Sequence, residues 1–103
     1  MRVLFDQGTP VPLRKYLAET DVITAYEAGW SELSNGELLA KAEPQFDLTT
    51  DRQLRYQQNL TGRRISILVL PCASWPKLER HGQKIAAAVA ALAAGGYLEL
   101  QLD

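Results

Sequence analysis

The sequence predicts an α/β domain: a mostly parallel sheet of about five strands with helices on both faces. Three observations carry this reading. Apolar, β-prone runs alternate with segments of helical period, strand–helix repeated four times and closed by a strand. That alternation is the pattern of a parallel sheet whose crossovers are helices. Ile65-Ser-Ile-Leu-Val-Leu70 is mostly apolar and branched, as a strand covered on both faces must be. The chain has 103 residues, 47% hydrophobic and 22% charged, which fits one globular domain over residues 1–103 with a single core.

Taken in order, Arg2–Phe5 is a short strand that stops at Asp6. Thr9-Pro10 and Pro12 read as a helix start, with the Thr9 hydroxyl as cap and proline in the first turn; that helix extends to about Ala18. Asp21–Ala25 is a second strand. Gly29–Gly36 is a loop holding Trp30, and Ser34 or Asn35 caps a helical element over Glu37–Glu43. Phe46–Thr50 is a short third strand ending at Asp51. Arg52–Gln58 is a polar helix or loop, and Thr61–Arg64 a turn. Ile65–Leu70 is the fourth strand, internal and ended by Pro71. Trp75-Pro76 opens a long helix to about Ala94, with Leu78, Ile85, Val89 and Leu92 on one stripe. Gly95-Gly96 stop it, and Tyr97–Leu102 alternates as an edge-like last strand.

Several function classes fall away. One cysteine, Cys72, excludes an internal disulfide and a Cys-rich zinc site. No run of about 18 apolar residues is present to span a membrane. The start MRVLFDQGTP lacks the long apolar stretch of a signal peptide. Together these predict a cytoplasmic, reducing location. The Gly-rich phosphate loops of nucleotide-binding folds are missing. His81 is the single histidine and has no Ser or Cys at triad spacing.

The net charge of −1 hides two blocks. Residues 1–51 carry nine acids against four bases, and residues 52–84 seven bases against one acid. Acids beside bases suit a metal-dependent enzyme acting on phosphates, and small domains also show such blocks without function. In parallel sheets, ligands bind beyond the carboxyl ends of the strands. Asp6 follows the first strand and Asp51 the third, while Glu37 opens the helix after the second. Three carboxylates converging there repel unless a cation or proton intervenes, and hard oxygen ligands suit Mg²⁺ or Mn²⁺. The structural alternatives are helix N-caps for Asp6 and Asp51 and a capping box with Ser34 for Glu37. Arg52, Arg55, Arg63 and Arg64 follow, interleaved with Tyr56, Gln57, Gln58 and Asn59. Arginine grips phosphate in bidentate fashion, so this stretch is a candidate nucleic-acid contact; its plain alternative is a solvated surface. Trp30 and Trp75 are candidate loop anchors or partner contacts.

The combination MRVLFDQGTP, GWSELSNGELL, FDLTTDRQL and the ILVL strand followed by SWP resembles the small stand-alone PIN-like nuclease domains over about residues 1–102. The resemblance implies a three-layer doubly wound sandwich in which Asp6, Glu37 and Asp51 bind Mg²⁺ or Mn²⁺ and drive hydrolysis of RNA. It also implies a toxin of the VapBC kind held by a small antitoxin, and a homodimer is a further candidate. No acid follows the fourth strand, where the segment is Pro71-Cys-Ala-Ser74. The alternatives are a PIN-like module that binds a protein partner or RNA without cleavage, and a structural domain that merely collects acids.

Overall fold

The computed structural model describes residues 1–6, 8–51, 64–72, 74–92 and 94–101. Its elements are β1 (Arg2–Phe5), a 3-10 helix (Val11–Leu17), β2 (Asp21–Thr24), α1 (Asn35–Ala42), β3 (Leu48–Asp51), β4 (Ser66–Val69), α2 (Trp75–Glu79), α3 (Gly82–Ala91) and β5 (Tyr97–Glu99). The strands form one sheet in the order β2-β1-β3-β4-β5, and every pairing is parallel. The expected α/β fold with an internal fourth strand is therefore present. β4 lies between β3 and β5, and all four of its residues are buried.

The sheet is covered on both sides. Val3, Phe5, Leu48, Leu68 and Leu70 pack on one face with Leu13 and Leu17 of the 3-10 helix, Leu78 of α2, and Ile85 and Val89 of α3. Leu4, Ile65, Ile67 and Val69 pack on the other with Leu38, Leu39 and Ala42 of α1, and with Phe46. Adjacent strand residues point to opposite faces, so an apolar run such as Val3-Leu4-Phe5 feeds both layers at once. Among the described residues no helix is long and apolar enough to cross a membrane.

Three elements differ from the sequence expectation. The segment after β1 is 3-10 rather than α-helical, and its N-cap is Pro10, with no side-chain cap. The Thr9 hydroxyl turns inward instead, because it is buried and its nearest partners are Asp6 and Thr50. The long helix predicted from Trp75 to Ala94 is two helices broken at Arg80-His81 and ending at Ala91. Across the break Ile85 N–H still donates to the His81 carbonyl, so Leu78, Ile85 and Val89 remain on the same core face. The break lies where the chain crosses the Tyr16 ring: a Cβ at Gly82 would stand 2.6 Å from it. β5 is also shorter than predicted, and its three residues are all exposed. The polar segment Arg52–Gln58 and most of the predicted turn at 61–64 lie outside the described residues.

Gly82→Ala follows from this contact. Alanine favours a helix by about 1 kcal/mol over glycine. Here overpacking against the Tyr16 ring outweighs that gain and costs about 1–3 kcal/mol net. Urea unfolding measures it, and a double-mutant cycle with Tyr16→Ala gives strongly non-additive losses.

Candidate functional site

The sheet order locates the site. From β1 the chain moves outward to β2; it then returns to the other side of β1 as β3 and continues to β4 and β5. The winding reverses between β1 and β3, and the crevice beyond their carboxyl ends is where doubly wound sheets take ligands. Phe5 pairs with Thr50, so the next residues, Asp6 and Asp51, end neighbouring strands at this point. Their backbones lie about 5 Å apart, the spacing of adjacent strands. Asp6 N–H continues the ladder by donating to the Thr50 carbonyl at 3.3 Å. The Asp51 side chain lies outside what is described, so the pair is defined by register.

A chain of hydroxyls leads to Asp6. Thr9 Oγ1 is 2.8 Å from Asp6 Oδ1 and 2.8 Å from Thr50 Oγ1, and both threonines are buried. An ionised carboxylate only accepts, so Thr9 donates to Asp6 and its oxygen must accept from Thr50. This assignment satisfies two buried hydroxyls and fixes one Asp6 oxygen in the crevice. Asp6 is thus not the N-cap of the 3-10 helix.

A second acid stands at the same edge. Glu27 follows β2, the strand on the other side of β1. Thr24 N–H donates to Glu27 Oε1 at 2.9 Å, and Glu27 N–H donates back to Thr24 Oγ1 at 3.0 Å. Arg14 from the 3-10 helix forms a salt bridge to the same Oε1. The Thr24 backbone bond, and next the Arg14 hydrogen bond, hold the Glu27 carboxyl below its ordinary value of 4.5. Arg14 Nε is buried without a partner. Asp6, Thr9, Val11, Arg14, Thr24, Ala25, Tyr26 and Glu27 line a cavity of about 640 Å³, within the usual range for ligand pockets.

Glu37 adopts the capping-box arrangement. Ser34 Oγ accepts from Glu37 N–H at 3.3 Å, while Ser34 N–H and hydroxyl both donate to Glu37 Oε1, at 3.3 and 2.9 Å. The Ser34 hydroxyl, and then its N–H, lower the Glu37 pKa from 4.5. Glu37 starts α1 from the sheet's carboxyl side, yet Asp6, Glu27 and Glu37 do not form a metal-holding cluster. Among the described residues no group of three or more His, Cys, Asp or Glu could hold a metal ion. Asp6 and Asp51 are the acids that the strand register brings to this edge. Their fit to a cation is chemically sound, because Mg²⁺ is commonly held by one or two carboxylates together with substrate phosphate.

Arg64 is remote from this crevice. It precedes β4, at the amino edge of the sheet, whereas Asp51 pairs with Val69 near the other end. Five residues of extended chain separate the two edges by roughly 15 Å. The Arg64 backbone N–H donates to Glu43 Oε1 at 2.6 Å, and its guanidinium lies 3.9 Å from the same oxygen. Arg52, Arg55 and Arg63 lie outside the described residues. Half-buried Trp30 meets Phe46 edge-on, and half-buried Trp75 meets Tyr16 at a tilt, so each anchors a loop or helix start. Half-buried Cys72 packs against the core.

Sequence reasoning passed over Glu27, Arg14 and Thr50, and read Thr9 only as a helix cap. For Glu27 a signal was present: Thr24-x-x-Glu27 repeats the spacing of Ser34-x-x-Glu37. Comparison with protein-family models, with curated proteins and with solved structures finds no match.

Both lowered carboxyls give a pH dependence of defined sign. A folded pKa below the unfolded value adds stability above the unfolded value, which is lost as pH falls through the folded one. The melting temperature is therefore expected to drop as pH falls from about 5 toward 3. In the Glu27→Gln/Glu37→Gln variant the drop is shallower, because neither side chain can titrate. Calorimetry across that range checks it.

Proposed function

We propose that this protein is a nuclease with a three-layer PIN-like sandwich, which hydrolyses phosphodiester bonds of RNA with Mg²⁺ or Mn²⁺ held by Asp6 and Asp51. The observation that carries this reading is the pair of acids ending adjacent parallel strands at the reversal of winding. Asp6 and Asp51 supply hard oxygen ligands, and Thr9 holds Asp6 in position through its hydroxyl. When bound, the cation would supply an activated water and offset charge on the phosphate in the transition state. Glu37 fixes the start of α1 beside that edge through its bonds to Ser34. Arg52 and Arg55, which directly follow Asp51 in sequence, are the proposed backbone grips. The proposal extends to a toxin role and a small protein partner that silences the nuclease; the basis for both is the family resemblance.

A second reading is a PIN-like module that binds RNA or a protein without cutting. It is favoured by the engagement of Glu37 with Ser34 and by the lack of an acid at Pro71-Cys72-Ala73-Ser74.

The two readings separate in a cleavage assay at millimolar Mg²⁺ or Mn²⁺. Under the nuclease reading, Asp6→Asn and Asp51→Asn each lower metal-dependent cleavage by about 100-fold or more, since several kcal/mol of charge stabilisation depend on the ligands. Circular dichroism and melting temperature stay near wild type. Variants that cut as fast as wild type would sink the site. RNA bound by wild type in a salt-dependent manner but left intact would establish the binding module instead.

A further inference from the structure

We infer that Tyr26 is a stacking platform for one unpaired base of a single-stranded RNA whose phosphate lies at Asp6; this rests on the nucleic-acid reading above. Tyr26 is 81% exposed, the most exposed large apolar side chain among the described residues. It lies two residues past the end of β2 and lines the same cavity of about 640 Å³ as Asp6. Val11, 53% exposed, also lines it, so the cavity carries two uncovered apolar side chains beside an acid.

The backbone under Tyr26 is held. Ala28 N–H donates to the Thr24 carbonyl at 3.0 Å, Gly29 N–H to the Tyr26 carbonyl at 3.0 Å, and Trp30 N–H to the Ala25 carbonyl at 2.8 Å. Gly29 takes φ +79°, which closes the turn in a conformation other residues resist. The reciprocal Thr24–Glu27 bonds clamp the same turn. A tyrosine presented to water on a fixed turn loses little freedom when a flat ligand covers it.

Charge selects which part of the ligand sits there. Among the described residues Asp6 and Glu27 line the cavity with one cation, Arg14, which Glu27 already pairs. Away from a cation at Asp6, a phosphate gains nothing against that surface. An uncharged base loses nothing and finds an aromatic face, with Arg14 Nε still lacking a partner at the wall. In a duplex both faces of a base are covered by its neighbours, so only an unpaired base can use this platform.

The test uses the whole protein and a short single-stranded RNA carrying 2-aminopurine, with Mg²⁺ present and Asp6→Asn as background to prevent cutting. Its duplex form is the second probe. Stacking quenches the fluorophore, and Tyr26→Phe retains both quenching and affinity. Tyr26→Ala loses the quenching and binds single strands about 5- to 100-fold more weakly, the span of a base–aromatic stack. Duplex binding stays weak and unchanged, and the melting temperature is unaffected because the ring is exposed. If Tyr26→Ala binds and quenches like its parent, the platform is overturned while the nucleic-acid reading stands. Equal loss for duplex and single strand overturns the unpaired base. No binding of either probe, by this background or by wild type, overturns both the platform and the reading beneath it.

Discussion

The internal position of β1, between β2 and β3, is the constraint on which the rest depends. It is hydrogen-bonded to β2 on one side and β3 on the other, and Val3, Leu4 and Phe5 are fully buried. Neither face nor edge of β1 meets water, so apolar side chains suit those positions and a polar one would need a bonded partner. Once β1 is flanked in this way, its two crossovers must leave in opposite directions. The crevice at its carboxyl end then follows from chain connectivity and not from any one side chain. Asp6 is simply the first residue past the point where burial ends.

The acidic excess of the first half divides by edge. At the amino edge, acids close the starts of strands: Asp47 Oδ2 accepts from Arg2 N–H at 2.7 Å, and the two Glu43 oxygens accept from Arg64 and Ile65 N–H. These carboxylates satisfy backbone donors that the ladder leaves over. At the carboxyl edge the described acids bond to hydroxyls and to their own turns. Glu27 and Glu37 are turned back onto their own turns by Thr24 and Ser34. Asp6 accepts from the Thr9 hydroxyl. Reading nine acids as one pool therefore mixes acids that close strand starts with acids at the opposite edge.

The Thr50–Thr9–Asp6 chain links packing to chemistry. Thr50 pairs with Phe5 in the sheet, and Thr9 sits at the approach to the 3-10 helix. The hydroxyls serve the fold by bonding each other in a dry place, and in doing so they orient the carboxylate at the crevice. The same economy appears at β2, where the clamp that closes the Thr24–Gly29 turn also aims Tyr26 outward and holds Arg14 across the cavity.

Much of the fold was legible from local pattern. The limits of β1, the buried β4 and the Leu78–Ile85–Val89 stripe follow from hydropathy and period, because burial acts on each residue where it stands. The Ser34–Glu37 capping box follows from spacing alone, since its partners are one helical turn apart. The opposite placement of Arg64 and Asp51 was also implicit: one precedes a strand and the other ends one, and parallel strands put those at different edges. The remainder was decided by tertiary contact. The order β2-β1-β3-β4-β5 pairs strands some 45 residues apart, as in Leu4 with Thr49, and no local rule selects it. Thr9 abandons its capping role because Thr50 and Asp6 are brought beside it by that pairing. The predicted last helix is interrupted just before Gly82, against which the Tyr16 ring lies. The sequence by itself determined the apolar runs that fill the core and the limits of β1. Which ends meet was settled only by the packed sheet, because distant hydrogen bonds and close ring contacts exist only once the chain has folded.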